Sequence, residues 1–61
     1  MNNSDMDKFY QQYKADLMDG FVSSTDIYVR RKLGGLPEQT IKDIIEELEN
    51  RLKNDNSNKH T

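Results

Sequence analysis

Ile41, Ile44, Ile45, Leu48 and Leu52 recur at i, i+3, i+4, i+7 and i+11, the spacing that sets side chains on one face of an α-helix. An apolar stripe of this length is marginal in water until another surface covers it, so the fold is a question of what packs against this face. Pro37 and Glu38 suit the first turn of such a helix. Proline lacks an N–H that would be unpaired there, and glutamate complements the positive end of the dipole. Glu47 precedes Arg51, and Glu49 precedes Lys53, by one helical turn, and each acid-before-base pair adds about 0.2–0.5 kcal/mol. The pattern predicts a helix over 37–53, ending near Asn54. The following "NDNSNKHT" is polar and lacks apolar anchors, so 55–61 reads as a flexible, disordered tail on a single helical domain spanning 1–54.

Two further helices can supply the cover. Ser4 with Asp7 has the form of an N-terminal capping box, and Met6, Phe9, Tyr10, Tyr13 and Leu17 then line one face of a helix over 4–19. Gly20 ends it, because glycine takes the left-handed conformation without a Cβ clash. Ser23 with Asp26 offers a second cap, and "STDIYVRRKL" reads as a short helix over 24–33 ending at Gly34 and Gly35. "DIYV" has strand character, but no second strand of comparable quality exists for it to pair with. The expected fold class is all-α, a small three-helix unit. Its expected core contains Phe9, Tyr13, Leu17, Phe21, Ile27, Leu33, Leu36, Ile41, Ile44, Ile45 and Leu48.

That core is thin. Only 33% of the 61 residues are apolar, 33% are charged, and no cysteine is present to form a disulfide or thiolate metal site. A chain of this kind is expected to complete its packing on a copy of itself or on a partner. Ile41, Ile45, Leu48 and Leu52 have the spacing of a short coiled-coil seam, which makes them the candidates for self-association as a homodimer. "MNNSDMDKFY" lacks the basic start and apolar run of a secretory signal, and no stretch approaches a membrane span, so a cytoplasmic protein with no membrane partner is expected.

"VRRKLGGLPEQTIKDII" resembles the turn and second helix of a DNA-binding helix-turn-helix, with Gly35 as the turn glycine. Two features oppose that reading. Arg30 and Arg31 fall where the helix pair needs buried or small residues, and the would-be recognition face carries Glu38, Asp43 and Glu46 beside Gln39 and Lys42. Carboxylates facing a phosphate-lined groove repel it. The formal net charge of −2 points the same way, making nucleic acid the lesser candidate partner.

Protein contact is the stronger expectation. Phe9, Tyr10 and Tyr13 form an aromatic stripe that serves either as core or as an exposed anchor, since tyrosine and methionine are adaptable at interfaces. Tyr28 with Arg30, Arg31 and Lys32 is a second candidate partner-binding group, although successive helical residues point about 100° apart and the three cations cannot share one target. A catalytic role finds no support. The one histidine, His60, falls in the predicted tail, so no Ser-His or Cys-His arrangement can be assembled on ordered elements. Gly34 and Gly35 lack the further glycines and lysine of a phosphate loop, and no cofactor or metal site is expected.

The order "LMDG", a short helix, "GGL" and a final amphipathic helix resembles the small three-helix antitoxins that inhibit Fic-domain AMP transferases. Those proteins use a Ser or Thr, three residues, then Glu and Gly or Asn, the glutamate pairing with an arginine of the toxin. The matching positions here are Ala15, Asp19 and Gly20, so the hydroxyl is absent and the carboxylate is one methylene short. The resemblance implies a helical fold and a protein partner. The expectation is a small non-enzymatic regulatory protein, an inhibitor, antitoxin or adaptor such as phage or mobile elements encode. A dimeric DNA-binding regulator with a degenerate helix-turn-helix is the alternative.

Overall fold

The computed structural model describes residues 2–58, which form three α-helices: α1 (Asn3–Met18), α2 (Thr25–Leu33) and α3 (Glu38–Asn58). Among the described residues there is no strand, and "DIYV" is helical.

Side-chain caps set the two N-termini. Asn2, not Ser4, caps α1, its Oδ1 accepting from the Asp5 amide at 2.8 Å. Ser24, not Ser23, caps α2, its Oγ accepting from the Ile27 amide at 3.1 Å. At the far end of α1, Gly20 adopts φ +83, the Phe21 amide donates to the Asp16 carbonyl at 2.9 Å, and the Gly20 amide donates to Leu17 at 3.1 Å. This is a Schellman closure, and it reverses the chain toward α2. Residues 34–37 then connect α2 to α3, whose first turn closes on the Pro37 carbonyl through the Ile41 amide at 3.0 Å.

The interior is built from Met6, Tyr13, Tyr28, Val29, Ile41, Ile44 and Leu48, with Phe9, Tyr10, Leu17, Val22, Leu33, Ile45 and Leu52 packed against them. Two ring contacts join α1 to α2, Tyr13 meeting Tyr28 edge-on at 5.3 Å and Phe9 lying 5.8 Å from Tyr28, while Tyr10 lies 6.3 Å from Tyr13 within α1. Side chains of that size hold the α1 backbone off α2, whereas α2 and α3 approach more closely. Tyr13 also shares a 2.8 Å hydrogen bond with Thr25 Oγ1, so a nearly inaccessible phenol keeps a polar partner.

Several expectations need correcting. Phe21, Ile27 and Leu36 are not core: they are 75%, 50% and 39% exposed. Met6, Tyr28 and Val29 take their place. For Ile27 the reason lies in α2, where Ile27, Tyr28 and Val29 are consecutive and one short helix cannot turn three successive side chains inward. Of the residues expected to seat a second copy, Ile41 and Leu48 are buried inside the chain, whereas Ile45 and Leu52 are partly exposed. Finally, α3 does not end near 54 but runs to Asn58. Asp55, which the polar pattern assigned to a tail, faces α1, pairing with Lys14 and accepting from the Tyr10 hydroxyl at 3.2 Å. Arg51 adds a second tie, pairing with Asp7 of α1 and with Glu47 of its own helix. The remainder of the expected tail, 59–61, with His60, lies outside the described residues.

Candidate functional site

A recess opens between the end of α1, the connection after it, and α2. Asp16, Phe21, Val22, Ser23, Ile27, Tyr28, Arg31 and Lys32 line it, around a volume of about 280 Å³. Each wall has a local cause. The Schellman turn projects Phe21 outward: in that motif the residue after the glycine usually packs on an apolar side chain one turn back, but here the position is Asp16. Phe21 is therefore left in solvent beside Ile27, which the inward turn of Tyr28 and Val29 forces to the outer side of α2. Met18, 80% exposed, ends the helix just before this turn.

The floor is polar and fully paired. The Tyr28 hydroxyl donates to Asp16 Oδ2 at 2.8 Å, and Gln12 donates to Asp16 Oδ1 at 3.2 Å. Burial first, then the hydrogen bond to this carboxylate, pushes the Tyr28 phenol up to about 12. The same hydroxyl, with Gln12 second, holds the Asp16 carboxyl below its ordinary value, so it remains an anion. Lys32 reaches over the Tyr28 ring, its Nζ 5.6 Å from the centroid, and its charge acts on Asp16.

The structure divides the anticipated partner-binding residues. Tyr13 and Tyr28 are interior, packed edge-on against each other between α1 and α2, and offer no surface anchor. Phe9 and Tyr10 are half-buried in the same cluster. Arg30 is exposed but engaged: its Nη1 and Nη2 donate to both Glu38 carboxylate oxygens at 2.8 and 2.7 Å, and its Nε donates to Asp26 at 2.7 Å. These two acids raise its pKa, and Arg30 in turn lowers that of Glu38. Arg30 thus braces the α2–α3 turn. Arg31 and Lys32 reach the recess, so of the anticipated group they alone combine exposure with a place at its rim.

The sequence reading missed Met18, Phe21 and Ile27 as surface residues. Two signals were available: the polar residue in the position that should pack on Phe21, and three consecutive apolar residues in a short helix. On the face of α3 that a helix-turn-helix would present, Glu38, Gln39, Lys42, Asp43 and Glu46 are all exposed, and Arg30 is turned onto Glu38. A second recess of about 320 Å³, between the start of α1 and α3, has Met6 and Ile44 beside Asp43, Glu47 and Arg51. Among the described residues no cluster of three or more His, Asp or Glu side chains is placed to hold a metal ion, and no helix is long and apolar enough to cross a membrane.

No protein-family model matches the chain, and comparisons with curated proteins and with solved structures also find no match. The antitoxin resemblance therefore stands on its residues alone, and there Ala15 and Asp19 are simply exposed residues at the end of α1.

Proposed function

We propose that this chain is a non-enzymatic regulatory protein that binds and modulates another protein, as an inhibitor, antitoxin or adaptor does, and that the recess between α1 and α2 is its contact face. One observation carries the reading: a chain with only 33% apolar residues leaves Phe21 and Ile27 at 75% and 50% exposure lining one recess. Exposed aromatic and aliphatic side chains grouped around a pocket are what an interface anchor needs.

The test is an immobilised-protein capture from the lysate of the organism that encodes the chain, with and without nuclease, using wild type and the Phe21→Ser, Ile27→Ser double variant. Because Phe21 is largely and Ile27 half exposed, the double variant stays folded, with Tm lowered by no more than roughly 8 °C. The expected result is a protein retained by wild type in both halves and lost by the variant. Equal retention by the variant, or a catch that disappears with nuclease, overturns the reading.

A further inference from the structure

Building on that contact face, we infer that its occupant is an acidic, apolar segment of the partner polypeptide, with one apolar side chain seated between Phe21 and Ile27 and a neighbouring carboxylate held by Arg31.

The argument starts from the arginines. Arg30 is bound by Asp26 and Glu38, and Arg51 by Asp7 and Glu47. Among the described residues Arg31 alone of the three has no carboxylate, and it stands at the rim of the recess. A guanidinium offers a planar fork of N–H donors matched to both oxygens of a carboxylate, which makes it a selective binding group for an acidic side chain rather than a diffuse positive charge.

The recess does contain an acid of its own, Asp16, and it bears on the sign of the site. Both of its oxygens already accept hydrogen bonds, from Tyr28 and Gln12, and the Lys32 charge offsets it. Arg31 is left as the surplus. The whole chain carries −2, so no long-range field draws an acidic partner in, and recognition rests on the local pair. Apolar insertion and carboxylate pairing then act together: the side chain filling the recess excludes water beside the guanidinium, which strengthens the pair relative to one on an open surface.

The experiment follows backbone amide resonances of the full chain by NMR during titration with three short peptides of one apolar pattern, differing only in having Glu, Gln or Lys at the polar positions. The expected result is that the Glu peptide shifts Phe21, Val22, Ile27 and Arg31 and binds at least about tenfold more tightly than the Lys peptide. Arg31→Gln reduces that preference to about threefold or less, while Arg30→Gln leaves it in place.

Equal binding of all three peptides in the recess overturns the charge pairing while leaving the contact face standing. Movement of the same resonances with protein concentration alone makes a second copy the occupant and overturns the inference. Absence of any shift in these residues also overturns it, and the capture experiment with the Phe21, Ile27 variant then shows separately whether the contact face survives.

Discussion

Replacing Tyr28 by Phe removes one hydroxyl from the floor of the recess and leaves the ring stacking in place. In the wild type that hydroxyl donates to Asp16 Oδ2 at 2.8 Å. Hydrogen bonds to charged groups contribute about 1.5–3 kcal/mol, but Asp16 is reachable by water and keeps Gln12, so the loss at neutral pH is about 1 kcal/mol. For a domain of this size that lowers Tm by roughly 4–8 °C. The pH dependence is more diagnostic. The folded state raises the phenol from 10.0 to about 12, so it favours the protonated form. This contribution is fully present below pH 10.0 and is lost as pH rises through about 12. Unscreened, the shift corresponds to about 3 kcal/mol, and solvent at the edge of the recess reduces it to roughly 1–2 kcal/mol. The pKa values of Tyr10 and Lys14 are also raised, by burial at Tyr10 and by the bond to Asp55 at Lys14, but both groups are common to the two proteins and cancel in the difference. Urea unfolding followed by helical circular dichroism, from neutrality to about pH 12, therefore shows the wild-type advantage holding steady and then closing. A difference that stays constant across the range would falsify the buried, paired placement of the Tyr28 hydroxyl that raises its pKa.

Two further pairs of substitutions test the local structure by urea unfolding. Ser24→Ala removes the α2 cap and costs about 0.5–2 kcal/mol, whereas Ser23→Ala stays within about 0.5 kcal/mol of wild type; the reverse order would place the cap one residue earlier. A Cβ on Gly34 would lie 2.8 Å from the Arg30 carbonyl oxygen, which as helical backbone cannot retreat, so Gly34→Ala destabilises by about 1–3 kcal/mol. A Cβ on Gly35 meets nothing within 4 Å, and its φ is not positive, so Gly35→Ala is neutral or stabilises by up to about 1 kcal/mol. Equal effects at the two glycines would show that the turn is held differently.

The three helices were legible because each carries its own punctuation: the i, i+3, i+4 stripe of α3, Gly20 after α1, and the Gly34–Gly35 pair before Pro37. Boundaries were less so. Asn2, Ser4, Ser23 and Ser24 are all competent caps, and local chemistry does not rank neighbours that differ by one or two positions. The extra turn of α3 was invisible for a different reason. Asn54 and Asp55 are poor helix formers, and the contacts that hold Asp55, to Lys14 and Tyr10, join residues far apart in sequence. Of the anticipated contact residues, Arg31 and Lys32 proved to be at the recess, and Tyr28 forms its floor instead of its rim. The aromatic stripe of α1 was open to two uses. The choice between them depends on what fills the space between α1 and α2, where Phe9 and Tyr13 meet Tyr28.

That allocation is what leaves the exposed apolar residues unexplained by the fold. A nine-residue helix buries one face, and with Tyr28 and Val29 inward, Ile27 contributes little to the interior. A polar residue would serve α2 equally well at that position, and would serve solubility better. The same holds for Phe21, whose turn needs Gly20 for its positive φ but needs only a backbone amide from the residue after it. Neither side chain is required by packing, both line one recess, and the arginine left without a carboxylate stands at its edge. Packing accounts for Tyr13, Val29 and Leu48, which are almost wholly enclosed. For Phe21 and Ile27 packing supplies no such account, and the proposed contact face is the role their apolar character would serve.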